Sequence, residues 1–487
     1  MKTIVQTGWL SLLLIMGIAF VNALAFQGTR GIYETTEGRY AECAREMMLS
    51  GRLSEPVLNG NHHWTKPPLT YLAIIGSIRV FGDSPWGLRA FLVIAMMLTV
   101  AAVWWAGVVI WGPKAGFWTG LVTATSPFIV GIANIVATDM LVTLWAALAI
   151  TAFWHSRARQ SRGAAILMWL FLGLGCLTKG PPGVLVPVVL IFCATLFLRR
   201  SGTWRPGAWT TLAGVFVFAI AGFGWYAWKA WQYPGLSSYW IGHEVIGRNL
   251  SDEFNRNPGI IYVFTNYLPI LLFGTGPWLA LVIIRGWAGR KGPPLSGLPI
   301  STWNGAAQWA LLVSVILPFV IFSFSRSKLP LYLAPLFVPL SLLVGRAMDI
   351  LLQQDRLRWR TTATVAGLLI LLIVVGKAVA GIPERVRDMT RLADRLAPIL
   401  ARDPSTSLYL VNKRPVNGLE YHLRRNVEFI APEELGEHML KQTPPRLHTL
   451  YIAKKKDWDR VAAKIPLAVR VEEIGPHWVG IWPVPNQ

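Results

Sequence analysis

Two stretches early in the chain combine acids, bases and stiffened backbone. The first reads Tyr33-Glu34-Thr35-Thr36-Glu37-Gly38-Arg39-Tyr40-Ala41-Glu42 and runs on through Cys43-Ala44-Arg45-Glu46-Met47. From Glu37 onward it is patterned as a helix, with Tyr40, Ala44, Met47 and Met48 apolar. That pattern predicts an interfacial helix resting on lipid headgroups, with Glu42, Arg45 and Glu46 on its solvated face. Glu37 and Arg39 fall at the helix start, where side chains can point into a cavity. The second stretch is Asn59-Gly60-Asn61-His62-His63-Trp64-Thr65-Lys66-Pro67-Pro68-Leu69. Its paired prolines break the preceding segment and hold Lys66 where the chain turns apolar again. His62 and His63 followed by a lysine could serve as a base and an anion clamp, although an ordinary interfacial loop would look the same. Three further charges open or close apolar runs: Asp139 in Ala137-Thr138-Asp139-Met140, Lys179 in Leu177-Thr178-Lys179-Gly180-Pro181-Pro182, and Lys328 in Ser325-Arg326-Ser327-Lys328-Leu329-Pro330. One such residue is an interfacial anchor. Several on one face, beside Gly or Pro or opening a helix, are less easily dismissed, because polar residues at membrane depth are costly and tend to be functional.

The elements that must position these groups are apolar helices. The 487 residues are 53% apolar and only 15% charged, with 24 Trp and a mean hydropathy of +0.45. That charge is too sparse to cover a soluble protein of this size. Eleven runs approach the roughly 20 residues needed to cross a bilayer. They lie at 5–26, 87–110, 115–134, 139–155, 164–179, 183–198, 208–230, 261–284, 305–324, 330–348 and 361–381. The first also resembles a signal peptide ending in Ala23-Leu24-Ala25, but with ten runs following it is expected to stay as a helix.

Charge sets the orientation. Residues 382–487 hold 17 basic and 13 acidic residues, leaving 29 of the 46 basic and 12 of the 25 acidic residues to the apolar part. Short loops carry Lys114; Arg157, Arg159 and Arg162; Arg199, Arg200 and Arg205; Arg285, Arg290 and Lys291; and Arg356, Arg358 and Arg360. The positive-inside rule puts these in the cytoplasm, with the N-terminus inside and the C-terminal segment outside. Of the 12 acids, only Asp349 and Asp355 then lie inside. The basic excess suits anionic headgroups and phosphates; nucleic acid is excluded, because the charges are split among short loops. Cys43, Cys176 and Cys193 form no spaced set, so neither disulfides nor a metal cluster is expected. Residues 1–381 are read as a transmembrane domain with a long first loop at 27–86. Residues 382–487 alternate short apolar runs with helix-like segments, as a small extracytoplasmic α/β domain does.

Taken in order, these segments resemble the GT-C superfamily of integral-membrane glycosyltransferases. The resemblance is closest to the bacterial branch containing the lipid A aminoarabinose transferase and relatives of the protein O-mannosyltransferases. It rests on E-x-x-E-G-R-Y-A-E, K-P-P, T-D-M, L-T-K-G, E-x-x-x-R and S-x-x-K-L-P-x-Y, from about residue 5 to 350. More loosely it includes Tyr421-His422-Leu423-Arg424-Arg425. The resemblance implies inverting transfer of a sugar from a polyprenyl phosphate to an envelope lipid, glycan or protein outside the cytoplasmic membrane. Donor-phosphate ligands are then Arg39, Tyr40, Lys66, Lys179, Arg248 and Lys328, with Arg offering a fork and Lys a point charge. Glu37 is the first candidate for the base, followed by Asp139 and Glu34. His62, His63, Glu244 and Tyr332 are candidates for substrate contact.

The chain departs from the family's pattern. Thr36 stands where an Asp precedes Glu37, Thr65 where an acid precedes Lys66, and Val245 where a His follows Glu244. In the aminoarabinose transferase the last two hold a metal. No metal or other cofactor is therefore expected, with His243 the only substitute ligand in view. The competing readings are a flippase or transporter of lipid-linked sugars, which would place charge at the bilayer midplane, and a non-catalytic membrane scaffold.

Overall fold

The computed structural model describes residues 8–198, 206–247, 257, 259–287, 302–412, 416–441, 448–465 and 467–484. Arg248 and the side chain of Glu244 lie outside the described set, as do the loop cations Arg199, Arg200, Arg205, Arg290 and Lys291. The chain forms two compact units. One comprises Met1–Ala25, Trp64–Thr70 and Arg89–Gly376; the other comprises Phe26–His63, Tyr71–Leu88 and Lys377–Gln487. The first loop thus belongs to the same unit as the C-terminal segment, a grouping that the linear division at residue 381 does not contain.

The first unit is helical. Among the described residues, six helices are long and apolar enough to span a membrane: Pro85–Trp111, Arg162–Lys179, Ala208–Gln232, Trp303–Phe324, Pro330–Gln353 and Trp359–Ala380. The chain is a multi-pass membrane protein. The helices Val263–Phe273 and Pro277–Gly286 pass the same test only as a pair, bent by 81° in the manner of a broken span or a re-entrant loop. Gly276 at the bend has a φ of 69°, a left-handed conformation open to glycine at no steric cost. The freed Gly274 carbonyl accepts bonds from Ser126 Oγ (2.7 Å) and the Phe128 amide (3.1 Å). Residues 261–284 are therefore not one straight helix. The expected span at 115–134 is likewise divided, into Pro113–Ala124 and Pro127–Ile132, because Pro127 removes an amide and Ser126 caps the new start. The expected count of eleven is not reproduced by helix length and composition: Gly8–Leu24, Leu69–Phe81 and Pro181–Phe197 are shorter apolar helices.

One hairpin of this unit positions the chemistry. The helix Asp139–Arg159 ends at Gln160 in a left-handed conformation. Ser161 then caps the helix Arg162–Lys179 by accepting the Ala164 amide. Two antiparallel helices of 21 and 18 residues bring the start of the first beside the end of the second. Asp139 thereby sits at a helix N-terminus and Lys179 at a helix C-terminus, each at the end its charge favours. The helix Ala208–Gln232 packs closely behind, where Gly222 and Gly173 let the backbones approach.

The second unit contains a five-stranded sheet in the order β4-β3-β5-β7-β6, with β3 Ser407–Val411, β4 Glu428–Ile430, β5 Thr449–Lys454, β6 Val469–Glu473 and β7 Trp478–Pro483. Strands β4, β3 and β5 run parallel, and β7 and β6 join antiparallel. Alternation divides the strand residues between two cores. Leu408, Leu410, Leu450 and Ile452 pack on Leu392 and Leu396 of the helix Met389–Arg402. Tyr409, Val411, Tyr451 and Ile481 pack on Leu435, Met439 and Val461. The expected α/β character holds.

The helix Thr36–Ser50 packs against the helix Asn417–Leu423 of the same unit. It buries Glu37 and Glu42 along with Tyr40, Cys43, Ala44 and Met47, so the expected solvated face is not what forms. Buried charge must be paired, and it is: Glu42 binds Arg45, while Glu46 accepts the amides of Asn59 (2.7 Å) and Gly60 (2.9 Å). Gly38 faces this contact. A β-carbon there would collide with the Glu34 carboxylate and the Gly418 backbone. Gly38→Ala is expected to destabilise the unit by about 1–3 kcal/mol, the usual cost of overpacking, read as a lower midpoint of thermal unfolding in detergent.

Candidate active site

In the helical unit the two ends of the hairpin meet. Lys179 Nζ donates to Asp139 Oδ1 in an ion pair, and the ammonium lies 4.7 Å from the centre of the Tyr332 ring. Tyr332 comes from the tight turn Pro330–Leu336, whose two prolines shape a short 3-10 segment. Three separately nominated residues thus form one cluster. Its floor is fixed by Trp145 Nε1, which donates to Thr178 Oγ1 at 3.0 Å.

A second cluster surrounds the K-P-P lysine. Lys66 Nζ donates to the Thr65 carbonyl at 2.7 Å. The neighbouring Trp64 carbonyl accepts from Trp240 Nε1 at 2.9 Å. The Trp64 ring packs against Tyr233 (5.1 Å) and Trp225 (6.1 Å), and Trp240 against Tyr226 (4.8 Å) and Trp225 (5.4 Å). Tyr226 joins the two clusters, because a β-carbon on Gly180 would sit 3.6 Å from its hydroxyl. The half-buried rings of Trp64, Trp225, Tyr226 and Trp240 thus run from the residue two before Lys66 to the glycine after Lys179. Trp64, Trp225 and Tyr226 were not nominated from sequence. Their signal was position, at the end of a span and beside a motif, and 24 tryptophans hid it. Lys328 is buried. Its carbonyl accepts from Asn257 Nδ2 at 3.2 Å, and the adjacent Leu329 carbonyl accepts from the Tyr267 hydroxyl at 3.1 Å.

The other described nominees lie in the second unit. Glu37 is buried, its two oxygens taken by Arg30 at 2.6 and 2.8 Å, and Oε2 also accepts the Tyr33 amide at 3.1 Å. Arg30 was missed, since nothing local marks a partner seven residues away. Arg39 lies 5.7 Å from the centre of the Tyr40 ring, and Tyr40 packs on Tyr71 at 5.5 Å. His62, on β2 Asn61–His62 of a small hairpin with β1 Val57–Leu58, is exposed, and His63 is half-buried. Glu34 is buried. Its Oε1 accepts the Gly418 amide, and burial pushes its carboxyl up to about 7 against the opposing pull of that bond and of Arg39.

Residues 65–226 match the model of the dolichyl-phosphate-mannose-protein mannosyltransferase family. Among characterised relatives, the undecaprenyl phosphate-alpha-4-amino-4-deoxy-L-arabinose arabinosyl transferase of Edwardsiella ictaluri is 29% identical over 69% of this chain and 59% of its own length. The transferase of the same description from Pseudomonas aeruginosa (strain UCBPP-PA14) is 30% identical over 70% of this chain and 59% of its own length. The match thus spans under two thirds of these relatives. The crystal structure of ArnT from Cupriavidus metallidurans bound to undecaprenyl phosphate superposes with a TM-score of 0.74 at 21% identity, covering 97% of this chain and 98% of that one. This chain has the GT-C fold. Within that fold it resembles the aminoarabinose transferases.

The GT-C resemblance raises the question of a metal. The positions that hold it in the aminoarabinose transferase are Thr65 and Val245 here, a neutral hydroxyl and an alkyl group, and the Thr65 carbonyl is engaged by Lys66. That donor set does not fit a divalent cation.

Two outcomes are expected. Lys179→Met strands Asp139 without its cation and lowers stability by about 3–5 kcal/mol, while Lys179→Met combined with Asp139→Asn restores most of the thermal midpoint. Glu34 has a folded-state pKa near 7 against an ordinary 4.5, so the folded state holds its proton longer than the unfolded one. Stability therefore falls as pH rises from 4.5 towards 7 and levels off above, by on the order of 3 kcal/mol. Glu34→Gln should flatten that slope in melting curves taken from pH 4.5 to 8.

Proposed function

We propose that this protein is an inverting glycosyltransferase that moves a sugar from a polyprenyl phosphate to an envelope lipid, glycan or protein on the extracytoplasmic face of the bacterial cytoplasmic membrane. The observation that carries the proposal is the Asp139–Lys179–Tyr332 cluster, with rings running from Trp64 of the K-P-P motif to Tyr226 beside Gly180, within a GT-C fold. The positive-inside distribution of the loop cations supports the orientation.

In the transfer, an acceptor oxygen attacks the anomeric carbon from the face opposite the phosphate. The bond from that carbon to the phosphate oxygen breaks, and its electron pair leaves as polyprenyl phosphate. The leaving group gains negative charge, and fixed cations lower the barrier where that charge appears. Lys66, Lys179 and Lys328 are the proposed cations of the helical unit. Arg39, Tyr40 and Arg248 are assigned to the donor phosphate on their motifs alone, as His62, His63 and Glu244 are to substrate contact. The aromatic wall offers ring faces to a sugar or an isoprenoid.

The acceptor proton is the harder requirement. Glu37 has both oxygens bound by Arg30, Asp139 is paired with Lys179, and Glu34 Oε2 is buried from solvent. With Thr36 in place of an acid, this favours an acceptor that is already anionic, such as a phosphate group, which has little proton to lose. A flippase is disfavoured, because the Asp139–Lys179 pair closes a helical hairpin at its end and not at mid-span.

Lys66→Ala should reduce transfer from a polyprenyl-phosphate sugar in purified detergent-solubilised protein by about 100- to 1,000-fold, as for loss of one transition-state donor, with normal membrane insertion. Unchanged transfer would sink the site assignment. Transfer to a neutral hydroxyl that Glu37→Gln abolishes would sink the anionic acceptor.

A further inference from the structure

Glu34 was nominated as a base, but its surroundings describe another task. Residues 32–34 lie alongside residues 387–389. The Glu34 amide donates to the Arg387 carbonyl at 3.0 Å, and the Met389 amide to the Ile32 carbonyl at 3.1 Å. The Glu34 side chain then runs between two glycines. Its Oε1 accepts the Gly418 amide, and a β-carbon on either Gly38 or Gly418 would collide with that same oxygen. Its Oε2 is buried with no hydrogen-bond partner among the described residues. A base must reach the proton it removes, and this oxygen reaches neither solvent nor a donor.

The helix that supplies Gly418 grips the first loop at two further points. Asn417 Nδ2 donates to Asn59 Oδ1 at 2.8 Å. The Tyr421 hydroxyl and Arg424 both bind Asp83. Residues 34, 59 and 83 are thus tied to one seven-residue helix across more than 330 positions of sequence. The Glu34 contact is the one nearest Arg39 in sequence, just before the helix whose first turn carries Arg39.

We propose that Glu34 is a positioning residue. Its carboxylate fastens the helix Asn417–Leu423 to the start of the helix Thr36–Ser50, and so sets the direction of the Arg39 guanidinium that receives the donor phosphate. The C-terminal segment then supports the first-loop motif within one compact unit and is not an appendage that only selects acceptors. The part concerning the donor phosphate rests on the function proposed above. The charged groups facing Glu34 agree with a fixed, local role: Arg39 and Glu37 from its own segment and Glu420 from the gripping helix.

The test is amide hydrogen exchange on the full-length protein in detergent, followed by undecaprenyl phosphate binding. Glu34→Ala should speed exchange across residues 36–50 and weaken undecaprenyl phosphate binding, each by about tenfold, the loss expected for one hydrogen bond to a carboxylate. Gly418→Ala should do the same from the other side of the contact. Glu34→Gln keeps a carbonyl oxygen for the Gly418 amide, and should restore both readings to within about threefold of the native protein, which separates positioning from base chemistry. Unchanged exchange in both Glu34→Ala and Gly418→Ala overturns the proposal, as does failure of Glu34→Gln to restore it. Native protein without affinity for undecaprenyl phosphate would overturn the functional reading and the donor role of Arg39. The fastening itself is decided by exchange alone.

Discussion

A charged side chain held near an apolar bilayer must find a partner, and the Asp139–Lys179 pair is how this fold meets that requirement at its reactive end. The geometry follows from two helices of similar length that meet at a tight turn. The turn sets the register, the register puts residue 139 beside residue 179, and the helix dipoles favour each charge where it lies. Tyr332 then covers the ammonium, and Gly180 ends the helix with a φ of 79° before Pro181 can clash with it. A lysine so held is a fixed positive charge with little reorganisation left to make, which is what a departing phosphate needs.

The second unit solves a different problem by the same rule. Its first-loop helix carries acids on the face it buries, so each acid must be met from outside the helix or by a neighbour on it. Arg30 meets Glu37, Arg45 meets Glu42, and backbone amides meet Glu34 and Glu46. These partners come from the loop and from the C-terminal segment, which explains why the two form one compact unit. Glycine at 38 and 418 is required because the carboxylate of Glu34 passes between the two backbones.

What the sequence made legible follows from the range of each interaction. Apolar runs are local patterns, and the short ones expected within 382–487 form buried strands such as Ser407–Val411 and Thr449–Lys454. Strand β6 has no such signal, because Val469–Glu473 is mostly exposed and carries charge. The helix Leu69–Phe81 was missed because 13 residues fall short of a span. Asp139, Lys179 and Tyr332 were each marked by a motif, yet their meeting required the hairpin register. Ser161 as a cap and Gly180 as a stop carried that register in the sequence. The Glu34–Gly418 contact, 384 residues apart, has no local signature.

The engaged state of the three carboxylates nominated as bases bears on which half of the proposed reaction this fold could assist. Proton removal asks for an acid that is accessible and poised, whereas leaving-group departure asks for cations that are fixed and shielded. Here the acids are spent on structure: Glu37 orders Arg30, Asp139 holds Lys179, and Glu34 holds the Gly418 backbone. Lys179, by contrast, lies beside the Tyr332 ring, and Lys328 is buried. A site that spends its carboxylates in this way concentrates its catalytic power on the phosphate. On the function proposed above, it suits an acceptor whose oxygen is already nucleophilic, which makes the replacement of an acid by Thr36 and the nature of the acceptor two aspects of one physical constraint.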